Sequence, residues 1–244
     1  MSDKQPRFFG NGLPYVDISE LKGNLIVIEG TDGVGRSTQI ENLRQWLEIQ
    51  GYGVVTTGWT RSPLMGQAIS EAKAGHTLNV NTFSLLYAAD FADRLENEII
   101  PALKAGFIVL ADRYIYTAFA RSIVRGADRE WIRKVFGFAL QPDAVFYMHT
   151  DVENLIPRVI TSETLSKRYW EEELGEGMDY WESGMDLRLG EDFYDSFIAY
   201  QKRILREFRL MTKQFGFTVV DASISFERTN QSLKQGIRQI LEHA

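Results

Sequence analysis

The sequence contains no cysteine. That excludes disulfides, a cysteine nucleophile and any metal centre built on thiolates. Histidine is almost as scarce: His76, His149 and His243 are scattered and give no zinc-ligand spacing. No run of about 18 apolar residues occurs, so no membrane-spanning helix is expected. Residues 1–22 have no apolar signal core, so secretion is not expected and the cytoplasm is the default compartment. Positive charge is not in excess either. Lysine and arginine number 27 against 33 acidic residues, for a net charge of −6, which argues against general nucleic-acid binding. What remains is a globular chain of 244 residues, 44 % hydrophobic, long enough for one α/β domain with a sizeable core.

The most informative stretch is Leu25 to Gln39. It opens as a short β-branched run that reads as a buried strand, breaks at Gly30, and passes through Gly33 and Gly35 into a helix at Arg36-Ser37-Thr38. The spacing Gly30-x-x-x-x-Gly35-Arg36-Ser37 is that of a phosphate-binding loop, with arginine where lysine is expected. Glycines let the backbone approach a ligand, and successive N–H groups at a helix start make an anion cradle. Gly30, Thr31, Asp32, Gly33, Val34, Gly35, Arg36, Ser37 and Thr38 are therefore the expected contacts of a polyphosphate, and Ser37 the expected hydroxyl on Mg²⁺. Arg36 brings the same charge as lysine on a wider, planar, forked head. Two readings follow: a working kinase with an arginine variant, or a nucleotide binder with poor turnover.

The rest of the chain supplies more parts. Residues 1–22 read as an N-terminal extension lying against the domain through Phe8, Phe9, Leu13 and Tyr15, with Gly10, Gly12 and Pro14 opposing a helix. Further strands are expected at 53–57, 107–111, 143–148 and 217–220, and helices at 36–50, 80–104, 117–140, 152–160, 192–214 and near the C-terminus. Pro101 should interrupt or kink the second helix and Gly126 break the third. Residues 161–190 are polar and glycine-bearing, and read as a lid or a surface insertion within a domain of 23–244. Arg61 follows the second strand, where open α/β sheets bind ligands. Phe83, Leu86, Tyr87, Asp90 and Arg94 share one helix face; Asp90 and Arg94 can pair, and Tyr87 is either core or a base-stacking ring. Asp112 ends the third strand and can hold Mg²⁺ directly or through water, with Arg113 beside it to grip a phosphoryl group.

Strands alternating with helices predict a parallel sheet covered on both faces. Arginines at two strand ends near a phosphate loop point to phosphoryl transfer between nucleotides. The second strand ends in Trp59-Thr60-Arg61 without a carboxylate, which suits an acceptor that is already an anionic phosphate.

These residues resemble one family. Ile28-Glu-Gly-Thr-Asp-Gly-Val-Gly-Arg-Ser-Thr-Gln39, Thr60-Arg-Ser-Pro63, Leu85-Leu-Tyr-Ala-Ala-Asp90 with Ile100-Pro-Ala-Leu103, Asp112-Arg-Tyr114 and Val219-Val-Asp-Ala222 are similar to the motifs of thymidylate kinases, over about residues 24–240. The resemblance implies a P-loop fold with a five-stranded parallel sheet between helices and a lid, a homodimer, and the reaction ATP + dTMP → ADP + dTDP with Mg²⁺. By position it implies that Asp32 binds the acceptor sugar or orders Mg²⁺, that Arg61 and Arg113 hold the acceptor phosphate, and that Tyr87 stacks on the base. Arg158 fits the arginine before the lid. The chain departs from the pattern at Arg36, at Phe91, which stands where the family's base-reading arginine is expected, and at Ala118-Phe-Ala-Arg121. Arg94 is then the nearest replacement at the base edge. Lys167, Arg168 and Arg188 are the lid's candidate cations. The alternatives are a kinase of another nucleoside monophosphate and a non-catalytic nucleotide-binding homologue.

Overall fold

The computed structural model describes residues 7–74, 79–161, 184–191 and 193–242. β1 (Asn24–Gly30) lies at the centre of a five-stranded sheet. Its neighbours are β2 (Val54–Gly58), β3 (Ile108–Asp112), β4 (Ala144–His149) and β5 (Thr218–Asp221), in the order β2-β3-β1-β4-β5. Every pairing is parallel, so all five strands end along one edge of the sheet.

Side chains alternate across each strand, and this divides the core in two. Ile26 and Ile28 face α1 (Arg36–Ile49) and α9 (Phe226–Glu242), where Ile40, Leu43, Leu47, Leu233 and Ile237 are buried. Leu25 and Val27 face the larger core beneath α3 (Val80–Arg94), α4 (Ile100–Lys104), α5 (Ile115–Val124), α6 (Arg129–Val135) and α8 (Phe193–Phe215). The remaining helices are α2 (Gly66–Ala74) and α7 (Val152–Thr161). Helices thus cover both faces of a parallel sheet, as the alternating pattern predicts. Among the described residues no helix is long and apolar enough to cross a membrane.

The two expected helix interruptions occur, and one expectation for the N-terminal segment changes. The helix expected over 117–140 breaks at Gly126, as expected, into α5 and α6: Gly126 takes φ +93° and ends the first, and Asp128 caps the second through Trp131 N–H. The long helical segment is interrupted just ahead of Pro101. A π-turn at Leu95–Ile99 precedes it, Ile100 N–H donates to Leu95 O, and Pro101 sits in the first turn of α4, where its missing N–H costs little. In the N-terminal segment Phe8, Phe9 and Leu13 pack on the core, but Tyr15 is 67 % exposed. That segment is tied by Phe9 N–H to Ala139 O and Gly10 N–H to Gly137 O, and Phe8 bridges to Leu140.

Candidate active site

The strand-to-helix turn after β1 has the conformation its glycines allow. Gly33 and Gly35 take φ +75° and +93°, and Gly35 occupies the N-cap of α1. At Gly30 a Cβ would lie 2.8 Å from Met148 O, so no side chain fits there. Val34 anchors the loop in the α1-side core, while Ser37 and Thr38 are exposed at the helix start.

Arg36 is buried and folded back beneath the loop. Its Nη1 donates to Gly30 O and Thr31 O, and its Nε donates to Asp112 Oδ1 at 2.8 Å. Ser37 Oγ donates to the other oxygen of the same carboxylate at 2.9 Å. Asp112, at the end of β3, is thereby shared between the two residues that follow Gly35.

Beside the loop lies an arginine pair. Arg113 Nη2 and Arg121 Nη2 donate to opposite oxygens of Asp32, the latter at 3.0 Å, and Arg36 Nη2 stands 4.0 Å from the same carboxylate. Arg113 reaches this position with φ +69°, a conformation rare outside glycine. What holds it is Glu29. The alternation along β1 points Glu29 toward α5, where its carboxyl accepts from Tyr114 N–H at 2.9 Å, Thr117 N–H at 3.2 Å and Thr117 Oγ1 at 2.7 Å. The N-cap residue of α5, Tyr114, makes no side-chain cap, so a carboxylate from the neighbouring strand does the capping. Burial pushes the Glu29 carboxyl above its ordinary value. The Thr117 hydroxyl, the Tyr114 N–H and the charges of Arg36 and Arg113 pull the other way.

Two cavities meet here. The first runs from Gly30, Thr31 and Asp32 past Arg113 and Arg121 to Tyr200 and Gln201 on α8. The second is walled by Phe83, Tyr87 and Ala118, with Ser84, Ser122 and Arg125 among its polar groups. Thr117 and Arg121 line both. Tyr87 is buried with its ring 4.5 Å from Phe83 and 5.3 Å from Trp59, so it forms a wall of the second cavity and part of the core together.

Other expected residues lie elsewhere. Phe91 is 0 % exposed, inside a cluster with Trp59, Tyr114, Phe136 and Phe138. Arg94 does pair with Asp90, at 3.0 Å, but its Nη1 also donates to Thr57 Oγ1 and its guanidinium lies over Trp59 and Phe91. Neither residue lines either cavity. Asp90 also accepts from the N–H groups of Thr60 and Ser62, bolting the loop after β2 to α3. Arg61, on that loop, is exposed with its guanidinium against Gly58. Lys167 and Arg168 lie outside the described residues, as does the Arg158 side chain. Arg188 is exposed at φ +46°, following the short turn Met185–Leu187. That turn is anchored: Met185 packs on Leu155 and Phe197, and Asp186 forms a two-pronged ion pair with Arg125.

Residues 28–175 match the thymidylate kinase family. The chain belongs to that family. A probable thymidylate kinase 2 of Saccharolobus solfataricus is 34 % identical over 223 residues, covering 91 % of this chain and 96 % of its own length. A thymidylate kinase of a Synechococcus strain is 30 % identical over 238 residues, 91 % of this chain and all of its own. A probable thymidylate kinase of Thermococcus kodakarensis is 36 % identical over 143 residues, 55 % of this chain and 70 % of its own. Glu29, Thr117 and Arg121 are side chains of this cluster to which motif reading assigned no role. Glu29 had one visible signal, a carboxylate inside an otherwise apolar strand. Arg121 had another, lying one helical turn beyond Thr117 on the same face of α5.

Proposed function

We propose that this chain transfers the γ-phosphoryl group of ATP to dTMP, giving ADP and dTDP. One observation carries the reading. The glycine loop and an aromatic-walled cavity are joined through Thr117 and Arg121, so an anion cradle and a site for a flat ring lie side by side. ATP's phosphates occupy the loop Gly30–Thr38 at the start of α1. The acceptor's ring enters beside Phe83 and Tyr87, with Arg113 at its phosphate and Arg61 at the rim.

The acceptor oxygen is already anionic, so attack on the γ-phosphorus needs no base. It forms a P–O bond as the bond to the β-phosphate oxygen breaks, and the chain's work is positioning and charge neutralisation. The donor set fits Mg²⁺: Ser37 Oγ and an Asp112 oxygen lie 2.9 Å apart, both hard ligands, leaving room for phosphate oxygens and water. When bound, Mg²⁺ neutralises charge on the β- and γ-oxygens. Arg36 holds Asp112 from the other side and supplies the loop's fixed positive charge. Lys167, Arg168 and Arg188 are the lid cations of this reading, within a domain of 23–244 behind an extension of 1–22. The setting is the cytoplasm, without nucleic acid, and the assembly a homodimer, as in the family's resemblance.

A second reading has its own observation. Arg36 is fully engaged with Gly30 O, Thr31 O and Asp112, an arrangement that suits a nucleotide binder that turns over slowly. The buried Phe91 leaves the base edge to other residues, which favours a different monophosphate. ADP release from ATP and Mg²⁺, measured with dTMP, dUMP, dCMP, dGMP and dAMP side by side, separates these. Preference for dTMP is the expected result. Preference for another base moves the substrate, and ATP binding without turnover on any acceptor overturns the kinase reading.

A further inference from the structure

With Phe91 turned into the core, the edge of a ring in the cavity beside Phe83 and Tyr87 is left to other side chains. Two of them are serines. Ser84 on α3 and Ser122 on α5 both line that cavity, both are buried, and their hydroxyl oxygens lie 2.8 Å apart. Ser84 Oγ also lies 2.7 Å from Val80 O, one helical turn back. A carbonyl has no proton to give, so the single hydroxyl proton of Ser84 points there. In the serine–serine contact Ser84 is therefore the acceptor and Ser122 the donor. The Ser122 proton is committed in turn, and only lone pairs remain on its oxygen. We propose that the Ser84–Ser122 pair reads the acceptor's base, that the Val80 carbonyl fixes it as a hydrogen-bond acceptor, and that among pyrimidines it selects a ring presenting an N–H: the imide N3–H of thymine or uracil, against the bare N3 of cytosine.

Fixed polarity is what gives the pair a preference. A hydroxyl free to rotate suits a donor or an acceptor equally and discriminates neither. Turning the Ser122 proton toward a cytosine N3 would break its bond to Ser84 in a buried place. Without that turn, cytosine sets lone pair against lone pair, and a buried polar atom left unpaired costs more than a made bond contributes. The rest of the cavity is consistent with this assignment. Its other polar side chains are Thr117, whose proton goes to Glu29, and Arg121 and Arg125, whose guanidinium groups are donors only. Thr117 and Arg121 also line the loop-side cavity, whereas Ser84 and Ser122 line the ring cavity alone. The serine pair thus belongs to the end that holds the ring, and Thr117 to the junction with the phosphate loop.

This inference rests on the acceptor reading above, and the test keeps the two apart. The readout is the dissociation constant of dTMP, dCMP and N3-methyl-dTMP, measured by calorimetry without ATP. The methylated nucleotide keeps both ring carbonyls and loses only the N–H. The expected result is that the wild type binds dTMP at least about tenfold more tightly than either of the others. Ser84→Ala releases the Ser122 proton to turn toward the ring. It should cut the dCMP-to-dTMP ratio of dissociation constants by about tenfold, chiefly by tightening dCMP. Ser122→Ala should cut the same ratio from the other side, by weakening dTMP. Equal weakening of dTMP and dCMP in both variants is what a pair that merely ties α3 to α5 would give, and it would overturn the proposal. So would an unchanged ratio, or wild-type binding of N3-methyl-dTMP as tight as that of dTMP. Failure of the wild type to bind any of the three would instead overturn the acceptor reading, and this inference with it.

Discussion

Two arginine–aspartate clusters in this molecule look alike on paper and differ in kind. In one, Arg94 and Asp90 pair at 3.0 Å with side chains 3 % and 0 % exposed, and Asp90 takes two further backbone donors. In the other, Arg113 and Arg121 share Asp32 at a cavity wall open to solvent. The first cluster has no room to change partners. Removing either member leaves a buried charge uncompensated, so the pair fixes the loop after β2 against α3 and acts as framework. The second lies at a cavity wall, with Asp32 32 % exposed. Partner exchange there is inexpensive, which is the property an anion site needs. Burial of the carboxylate, rather than residue type, separates the two clusters.

The largest expected effect breaks the framework cluster. Asp90→Ala leaves Arg94 buried without its acid and strips Thr60 and Ser62 N–H of their acceptor. The expected cost is about 3–5 kcal/mol, seen as a fall in Tm of roughly 10 °C by calorimetry. A loss within 2 °C would mean that the cluster does not hold the loop.

A smaller effect probes what holds the binding cluster in place. Glu29→Ala uncaps α5 and leaves three buried donors without their acceptor, an expected cost of about 2–4 kcal/mol. The pH dependence has a definite sign. The folded Glu29 carboxyl lies above its ordinary value of 4.5, chiefly through burial. A carboxyl raised in the fold gives its full stabilisation below that ordinary value and loses it as pH rises through the folded value. Glu29→Gln cannot ionise. The wild type should therefore lose stability relative to Glu29→Gln as pH climbs from about 4.5. Tm measured against pH for both proteins checks this, and parallel curves would remove Glu29 as the titrating group.

Much of this architecture is legible in the sequence because local patterns state it. The apolar runs at β1, β3 and β4 alternate with helical periodicity, and a parallel sheet between helix layers buries both faces of such strands. The loop is legible because its glycines sit where backbone sterics require them. The arginine clusters are not, because their difference is tertiary. Spacing places Arg94 and Asp90 within reach of each other, but nothing local says that Trp59 and Phe91 will enclose the pair. Arg121 reaches Asp32 because α5 packs beside β1 and against α8, a relation between elements far apart in sequence. Glu29 caps a helix that begins eighty-five residues later, at Tyr114. Phe91 stands at a position where the family pattern expects a reader of the base, yet its apolar ring turns inward with the core.

The comparison of Arg94→Ala with Arg113→Ala tests the account most directly, through Tm and the KM for dTMP measured on the same preparations. The account predicts that Arg94→Ala lowers Tm by several degrees and leaves the KM for dTMP within about threefold at a temperature where it is folded. Arg113→Ala should raise that KM at least about tenfold with Tm near wild type. The opposite pattern, with Arg94→Ala raising the KM and Arg113→Ala leaving it unchanged, would contradict the assignment of the two clusters and give the acceptor contact to Arg94.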